Sequence, residues 1–306
     1  MPAVEIDTRR GALSPDEHIE VIDLLLEVAA ADGHPALSEA KGRDLVADGG
    51  DGFVALLARR PGEANLVGYA QLHRRPATWG LEIVRHPAAR TTELLAALLE
   101  RALTLARAGG GGPLHYWVSR PTAETDAVAA QAHLLQVRDL LELHVPLPLP
   151  DDVRATARPV EVRPFRPGAD EAAWLEVNNR AFAGHPEQGG WAMEDVVARE
   201  HEPWFDPAGF LLHEEGGRLV GSCWTKAHRD VEPPRGEIYV ISVDPAAHQR
   251  GLGRSLTVAG LDWLAGDGLP VGMLYVDASN KAAVALYDSL GFVVDHVDRA
   301  YVTDLS

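Results

Sequence analysis

Val243-Asp244-Pro245-Ala246-Ala247-His248-Gln249-Arg250-Gly251-Leu252-Gly253-Arg254 is the stretch on which the reading of this chain turns. An apolar run from Glu237 to Val243 predicts a buried strand, Asp-Pro turns the chain, and a Gln-Arg-Gly-Leu-Gly loop opens an amphipathic helix from about Gly251 to Leu264. Glycines let a backbone approach a ligand closely, and the first turn of a helix offers unpaired N–H groups at the positive end of its dipole. A pyrophosphate would be held there mainly by main-chain donors, with Arg250 and Arg254 adding charge. Taken alone, the same residues also make an ordinary glycine-containing turn from strand to helix.

Moving outward, the stretch has a counterpart. Leu81-Glu82-Ile83-Val84-Arg85-His86-Pro87-Ala88-Ala89-Arg90 resembles Tyr239 to His248, with Pro87 and Pro245 separated by 158 residues. His115-Tyr116-Trp117-Val118 and Met273-Leu274-Tyr275-Val276 repeat the same offset. Two matches at one offset close to half the chain predict tandem copies of one mixed α/β domain. Between them, Val145 to Asp152 alternates prolines with leucines and reads as a semi-rigid linker. The expected division is an N-terminal domain over 1–148, a linker over 149–158 and a C-terminal domain over 159–306.

In the second copy the pattern predicts a strand at Val160–Arg163, a helix from Asp170 to Phe182, and a hairpin of Gly209–His213 with Leu219–Trp224. A strand from Gly272 to Val276, a helix from Lys281 to Leu290 and a strand from Phe292 to Val297 complete it. The Gly109-Gly110-Gly111-Gly112 tract lacks dinucleotide-fingerprint spacing and reads as a turn.

The chain has 306 residues, 46% hydrophobic and 24% charged, and a net charge of −17. Both halves are acidic, which excludes a broad phosphate-binding face and argues against a nucleic-acid partner. The first residues carry no cationic stretch before an apolar run, and no apolar run is long enough to span a bilayer, so neither a signal peptide nor a membrane partner is expected. Cys223 is the only cysteine. It excludes an internal disulfide, fits a reducing cytoplasmic compartment, and in an apolar strand reads as a buried structural thiol. The histidines show no ligand spacing, so no metal is expected.

The Gln249-Arg250-Gly251-Leu252-Gly253 loop between strand and helix resembles the acetyl-CoA motif of the GNAT acyltransferase superfamily. Asn280-Lys281-Ala282-Ala283-Val284-Ala285-Leu286-Tyr287-Asp288-Ser289-Leu290-Gly291-Phe292 is similar to its second signature, an Asn-initiated helix ending in Leu-Gly-Phe. The resemblance implies α/β architecture with a mixed sheet, two tandem GNAT domains, acetyl-CoA as cosubstrate, and a splayed pair of parallel strands around the pantetheine arm. Backbone groups of Ile241, Ser242 and Val243 would bind that arm. His248, Gln249, Arg250, Gly251, Leu252, Gly253 and Arg254 would hold the pyrophosphate, and Asn280, Lys281, Ala282, Ala283, Val284 and Ala285 would line the other side.

Three further stretches, Asn178 through His185-Pro186-Glu187-Gln188-Gly189-Gly190-Trp191, Trp204-Phe205-Asp206-Pro207 and Trp224-Thr225-Lys226, resemble the mycothiol synthase family. That family is a tandem-domain GNAT enzyme that acetylates the cysteinyl amine of Cys-GlcN-Ins. The likeness runs through most of the C-terminal half and is thinner in the N-terminal half. By position it implies Glu237 as general base, Tyr287 as general acid, and Glu39, Glu187, Lys226, Glu237 and Tyr275 as substrate contacts. Without the motifs, Glu237 reads as a solvated charge at a strand start and Tyr287 as a core aromatic. In the first copy Ala89-Arg90-Thr91-Thr92-Glu93-Leu94 replaces the glycine loop and Leu135-Gln136-Val137 replaces Leu-Gly-Phe. That copy is expected to be non-catalytic, keeping at most an acetyl-CoA held by the backbone of Ile83, Val84 and Arg85. The expected protein is a cytoplasmic monomer acting on a small molecule. A GNAT enzyme for another amine and a non-catalytic acetyl-CoA-binding module are the other readings.

Overall fold

Ser14 starts the first long helix by a reciprocal cap: its hydroxyl accepts from Glu17 N, while the Glu17 carboxylate accepts from Ser14 N. The computed structural model describes residues 4–46, 50, 52–183, 189–247 and 251–306. Its contacts divide the chain into two compact units, one of Met1–Asp139 with Val297–Ser306 and one of Leu140–His296.

The first unit runs β1 (Glu5–Arg10), α1 (Pro15–Asp32), α2 (Glu39–Val46), β2 (Phe53–Arg59), β3 (Leu66–Arg74), β4 (Trp79–Arg85), α3 (Thr92–Ala108), β5 (Pro113–Ser119) and α4 (Ala123–Gln131). The next strand, β6 (Leu135–Pro146), carries the chain into the second unit. There follow α5 (Asp151–Arg154), β7 (Arg163–Pro164), α6 (Glu171–Ala181), α7 (Met193–Glu200), β8 (Phe210–Glu215), β9 (Arg218–His228), β10 (Arg235–Val243), α8 (Leu252–Gly266), β11 (Val271–Asp277), α9 (Lys281–Asp288) and β12 (Val293–Asp304).

The two units repeat one sheet. In the first the order is β1-β2-β3-β4-β5-β12, with only the β4/β5 pair parallel. In the second it is β7-β8-β9-β10-β11-β6, with only β10/β11 parallel. Each unit therefore borrows its strand beside the parallel pair from the other sequence copy. Leu140–Pro146 of β6 pairs with β11, and Asp298–Asp304 of β12 pairs with β5.

Packing follows the alternation of side chains along each strand. In the second unit Cys223, Ile238, Leu274, Leu143 and Val145 join Leu256, Leu261 and Leu264 of α8 in one core. The opposite face is aromatic, where Phe210 stacks on Trp224 at 4.3 Å and Trp174 of α6 meets Trp224 edge-on at 5.6 Å. The first unit has the same two-sided arrangement, with α3 over one face and α1 over the other.

Three local expectations change. The strand placed at Val160–Arg163 shrinks to Arg163–Pro164, because prolines at 159 and 164 remove ladder donors on either side. The proline-rich stretch after Pro146 is not a free spacer: Leu149 is buried in the second unit's core, with Leu147 and Val153 packed against it. Leucines interleaved with prolines need cover, and the fold supplies it. The last strand continues to Asp304 rather than Val297, since its far half has a ladder to join on β5.

Candidate active site

The parallel ladder between β10 and β11 covers Arg235–Val271, Gly236–Gly272 and Glu237–Met273, and stops. Beyond Glu237 the β10 strand carries a bulge against β9 between Ile238 and Val240, then continues paired with β9 alone through Ile241, Ser242 and Val243. A bulge re-aims a strand. From here to its end β10 has no β11 ladder.

At the end of β10 the chain enters α8 through Gly251, whose φ of +77° suits glycine and strains other residues. Among the described residues, no side chain caps α8. First-turn N–H groups without such a cap are donors suited to an anion. The contrast with α3 is chemical: there the Thr91 hydroxyl accepts from Leu94 N, and Glu93 puts an acid in the first turn. Gly253 has nothing within 4 Å of where a Cβ would stand. Arg254 is committed to the hydroxyls of Thr156 and Ser289. His248, Gln249 and Arg250, expected in this loop, lie outside the described residues, as does Glu187.

Asn280 caps α9, its side chain accepting from Ala283 N at 3.1 Å, and Lys281 turns back to the Ala278 carbonyl. Along the first turns of α9, Ala282 and Ala285 are exposed and Ala283 and Val284 are half-buried. Two turns in, Tyr287 is buried in the α8 core that also holds Cys223 and Leu252. Burial, and next the Cys223 thiol, push the Tyr287 phenol above its ordinary value, so it keeps its proton. Cys223 is fully buried and pushed up to about 12, an inert thiol.

Glu237 lies on the other, aromatic face. It is 7% exposed and opposite Lys226 on β9. Its Oε2 lies 2.7 Å from His228 Nε2. Two acceptors cannot approach that closely, so the imidazole donates. Lys226 Nζ stands 4.7 Å from the Trp204 ring and 5.7 Å from the Tyr239 ring, and the Tyr239 hydroxyl accepts from Arg199 Nε at 2.9 Å. The structure thus gathers Glu237 and Lys226 with His228, Tyr239 and Trp204. Tyr275, 43% exposed on β11, is opposite Glu142 of β6. Glu39 heads α2 in the first unit and pairs with Arg43 at 2.8 Å.

Ile83, Val84 and Arg85 continue β4 past the end of its parallel ladder at Glu82–Trp117, as Ile241 to Val243 do in β10. Arg85 is held by Glu124 and the Thr91 carbonyl. Beside them Glu82 accepts from Ser38 N and Oγ, and Lys41, pushed down to about 8 by burial, donates to the Gly80 carbonyl.

His228 and Tyr239 escaped the sequence reading although a period of two, counted from Lys226 and Glu237, reaches both. Glu142 and His144 had no such signal. Neither did the grouping of Glu142, Asp295 and His296, whose ligand-capable atoms lie within 4.8 Å of one another.

Residues 172–292 match the Acetyltransferase (GNAT) family. The mycothiol acetyltransferase of Acidimicrobium ferrooxidans is 42% identical over 91% of this chain and 91% of its own length. That of Thermomonospora curvata is 48% identical over 77% of this chain and 78% of its own. Among solved structures, a tandem GNAT protein from the clavulanic acid biosynthesis pathway aligns with a TM-score of 0.70, covering 99% of each chain at 18% identity.

Proposed function

The chain belongs to the mycothiol acetyltransferase family, and we propose that it transfers the acetyl group of acetyl-CoA to the cysteinyl amine of Cys-GlcN-Ins, giving mycothiol and CoA. The observation that carries this reading is the end of the β10/β11 ladder at Glu237–Met273, which leaves a strand edge for the cofactor arm beside a buried carboxylate. Acetyl-CoA supplies the thioester carbonyl. Ile241, Ser242 and Val243 hold its arm by main-chain groups, and Gly251 to Gly253 with the open first turn of α8 hold its pyrophosphate. Asn280 to Ala285 line the far side, and His248, Gln249 and Arg250 complete the loop.

An α-amine with a reference pKa of about 7.7–8.0 is largely protonated at neutral pH. Glu237, oriented by His228, takes that proton. As the C–N bond forms and the C–S bond breaks, Tyr287, whose phenol stays protonated, gives its proton to the departing sulfur, and the second proton shed by the nitrogen on becoming an amide restores the phenol. Lys226 and Tyr275, with Glu39 and Glu187, are the substrate contacts in this reading. The first unit is non-catalytic, since Thr91 and Glu93 occupy its anion site, while Ile83 to Arg85 keep a strand edge for a second acetyl-CoA. No described helix is long and apolar enough to cross a membrane. The enzyme is taken as a cytoplasmic monomer, which its one buried thiol suits.

Incubating the purified chain with acetyl-CoA and Cys-GlcN-Ins is expected to release CoA and yield mycothiol by mass spectrometry. Turnover on another amine with none on this one rejects the substrate. Glu237→Gln is expected to lower kcat about a hundred- to ten-thousandfold while acetyl-CoA binding holds, and an unchanged rate rejects the base.

A further inference from the structure

The strand that closes the second unit, β6, brings Glu142 opposite Tyr275 and His144 opposite Met273, which is itself opposite Glu237. Residues directly across neighbouring strands share a face. Glu142, His144 and Tyr275 therefore stand on the sheet face that carries Glu237 and Lys226.

Glu142 is 3% exposed, and donors surround its carboxylate. His144 Nε2 lies 2.7 Å and Arg235 Nη1 3.3 Å from Oε1, while His296 Nε2 lies 3.5 Å from Oε2. The Tyr275 hydroxyl donates to it as well. Asp295 closes the ring, 2.8 Å from His296 Nδ1 and 3.6 Å from His144 Nδ1. Burial alone would raise the Glu142 carboxyl, but His144 and Tyr275 as donors hold it below the ordinary range. Burying a carboxylate is costly unless donors satisfy it, and this one takes no part in the proton transfers above. A divalent cation is one use of such a donor set. Arg235 tells against it, because its guanidinium already supplies a positive charge at Glu142. Two members reach solvent, Asp295 at the rim and Tyr275, and of these Tyr275 carries the ring that faces outward at 43% exposure.

We propose that Glu142 is a positioning residue that determines specificity: it fixes the Tyr275 side chain and takes its phenolic hydrogen bond, so that Tyr275 meets the amine substrate as an acceptor. A phenol has one proton. With that proton committed to Glu142, Tyr275 offers lone pairs only and selects a ligand that brings a hydroxyl or ammonium donor to that spot. The inference rests on Tyr275 being a substrate contact in the acetyltransferase reading.

The test is a double-mutant cycle of Glu142→Gln, Tyr275→Phe and the pair, with amine and acetyl-CoA varied separately. Each single variant is expected to raise KM for the amine about tenfold, the worth of one hydrogen bond, with KM for acetyl-CoA within about twofold. The pair is expected to match Tyr275→Phe alone. Additive effects, or an unchanged amine KM in Glu142→Gln, overturn the proposal, as does activity lost on chelation and restored by zinc. Should Glu142→Gln fail to fold by circular dichroism, Glu142→Asp keeps the charge but draws it back from Tyr275, and must give the same amine-specific rise. If the parent chain acetylates an amine other than Cys-GlcN-Ins, the cycle is run on that amine, so failure of the substrate reading is distinguished from failure of the Glu142 role.

Discussion

At the scale of single residues the site is a set of short-range commitments, and the 2.7 Å contact between His228 and Glu237 is the most consequential. It engages one oxygen of the Glu237 carboxylate, Oε2, as an acceptor. His228→Ala removes the donor and lets the carboxylate swing, so kcat is expected to fall about tenfold or more, with KM for acetyl-CoA unchanged. His228→Gln keeps an N–H at similar reach and is expected to recover most of that loss. Steady-state kinetics on the two variants decide it; equal losses in both would mean that His228 serves packing rather than orientation. Glu237 and Lys226 were legible in the sequence because signature residues fix their positions. His228 was not, since a histidine two residues past a lysine carries no chemistry until the strand puts both on one face.

At the scale of elements, what the sequence made visible was the punctuation of strand and helix, and what it hid was which ends are satisfied. The α3 start is capped by Thr91, whereas among the described residues α8 has no side-chain cap. The two-residue strand β7 shows how much a side chain can replace a ladder. Asp170, at the start of α6, accepts from Arg163 Nη1 at 2.6 Å and Arg166 Nη2 at 2.8 Å, tying the strand to the helix that covers the aromatic face. Burial opposes its charge, but the Arg166 and Arg163 donors win and hold its carboxyl well below the ordinary range. A depressed carboxyl contributes stability that is fully present above the unfolded value of about 3.9 and is lost progressively as pH falls from there through the depressed folded value. Asp170→Asn is therefore expected to cost about 2 kcal/mol at pH 7 and less at pH 3, where the loss has begun but is not complete. Urea unfolding at both pH values checks this; a difference from the parent that stays constant with pH would place the stabilisation elsewhere.

At the scale of the whole molecule the repeat of 158 residues announced two copies, and the sheets repeat accordingly. The offset could not announce the exchange of β6 and β12, because a strand's own pattern does not name its neighbour. Leu149, read as part of a spacer, is instead core of the second unit, with Leu147 packed against it. The compact units therefore differ from the sequence copies: Leu140–His296 is continuous in the chain and holds β6 beside β11, whereas residues 159–306 lack that strand. Without β6 the outer edge of β11 is unpaired along its length, and Leu143 and Val145 leave the α8 core. Exposed edges and lost core leucines both favour aggregation over a cooperative fold. A fragment of residues 140–296 is expected to unfold cooperatively on heating and to give a sharp near-ultraviolet dichroism from its tryptophan cluster. A fragment of 159–306 is expected to do neither, although it contains Glu237, the glycine loop and Tyr287. Equal cooperativity in the two fragments would show that the second copy completes its sheet without β6, and the functional unit would then be the sequence copy after all.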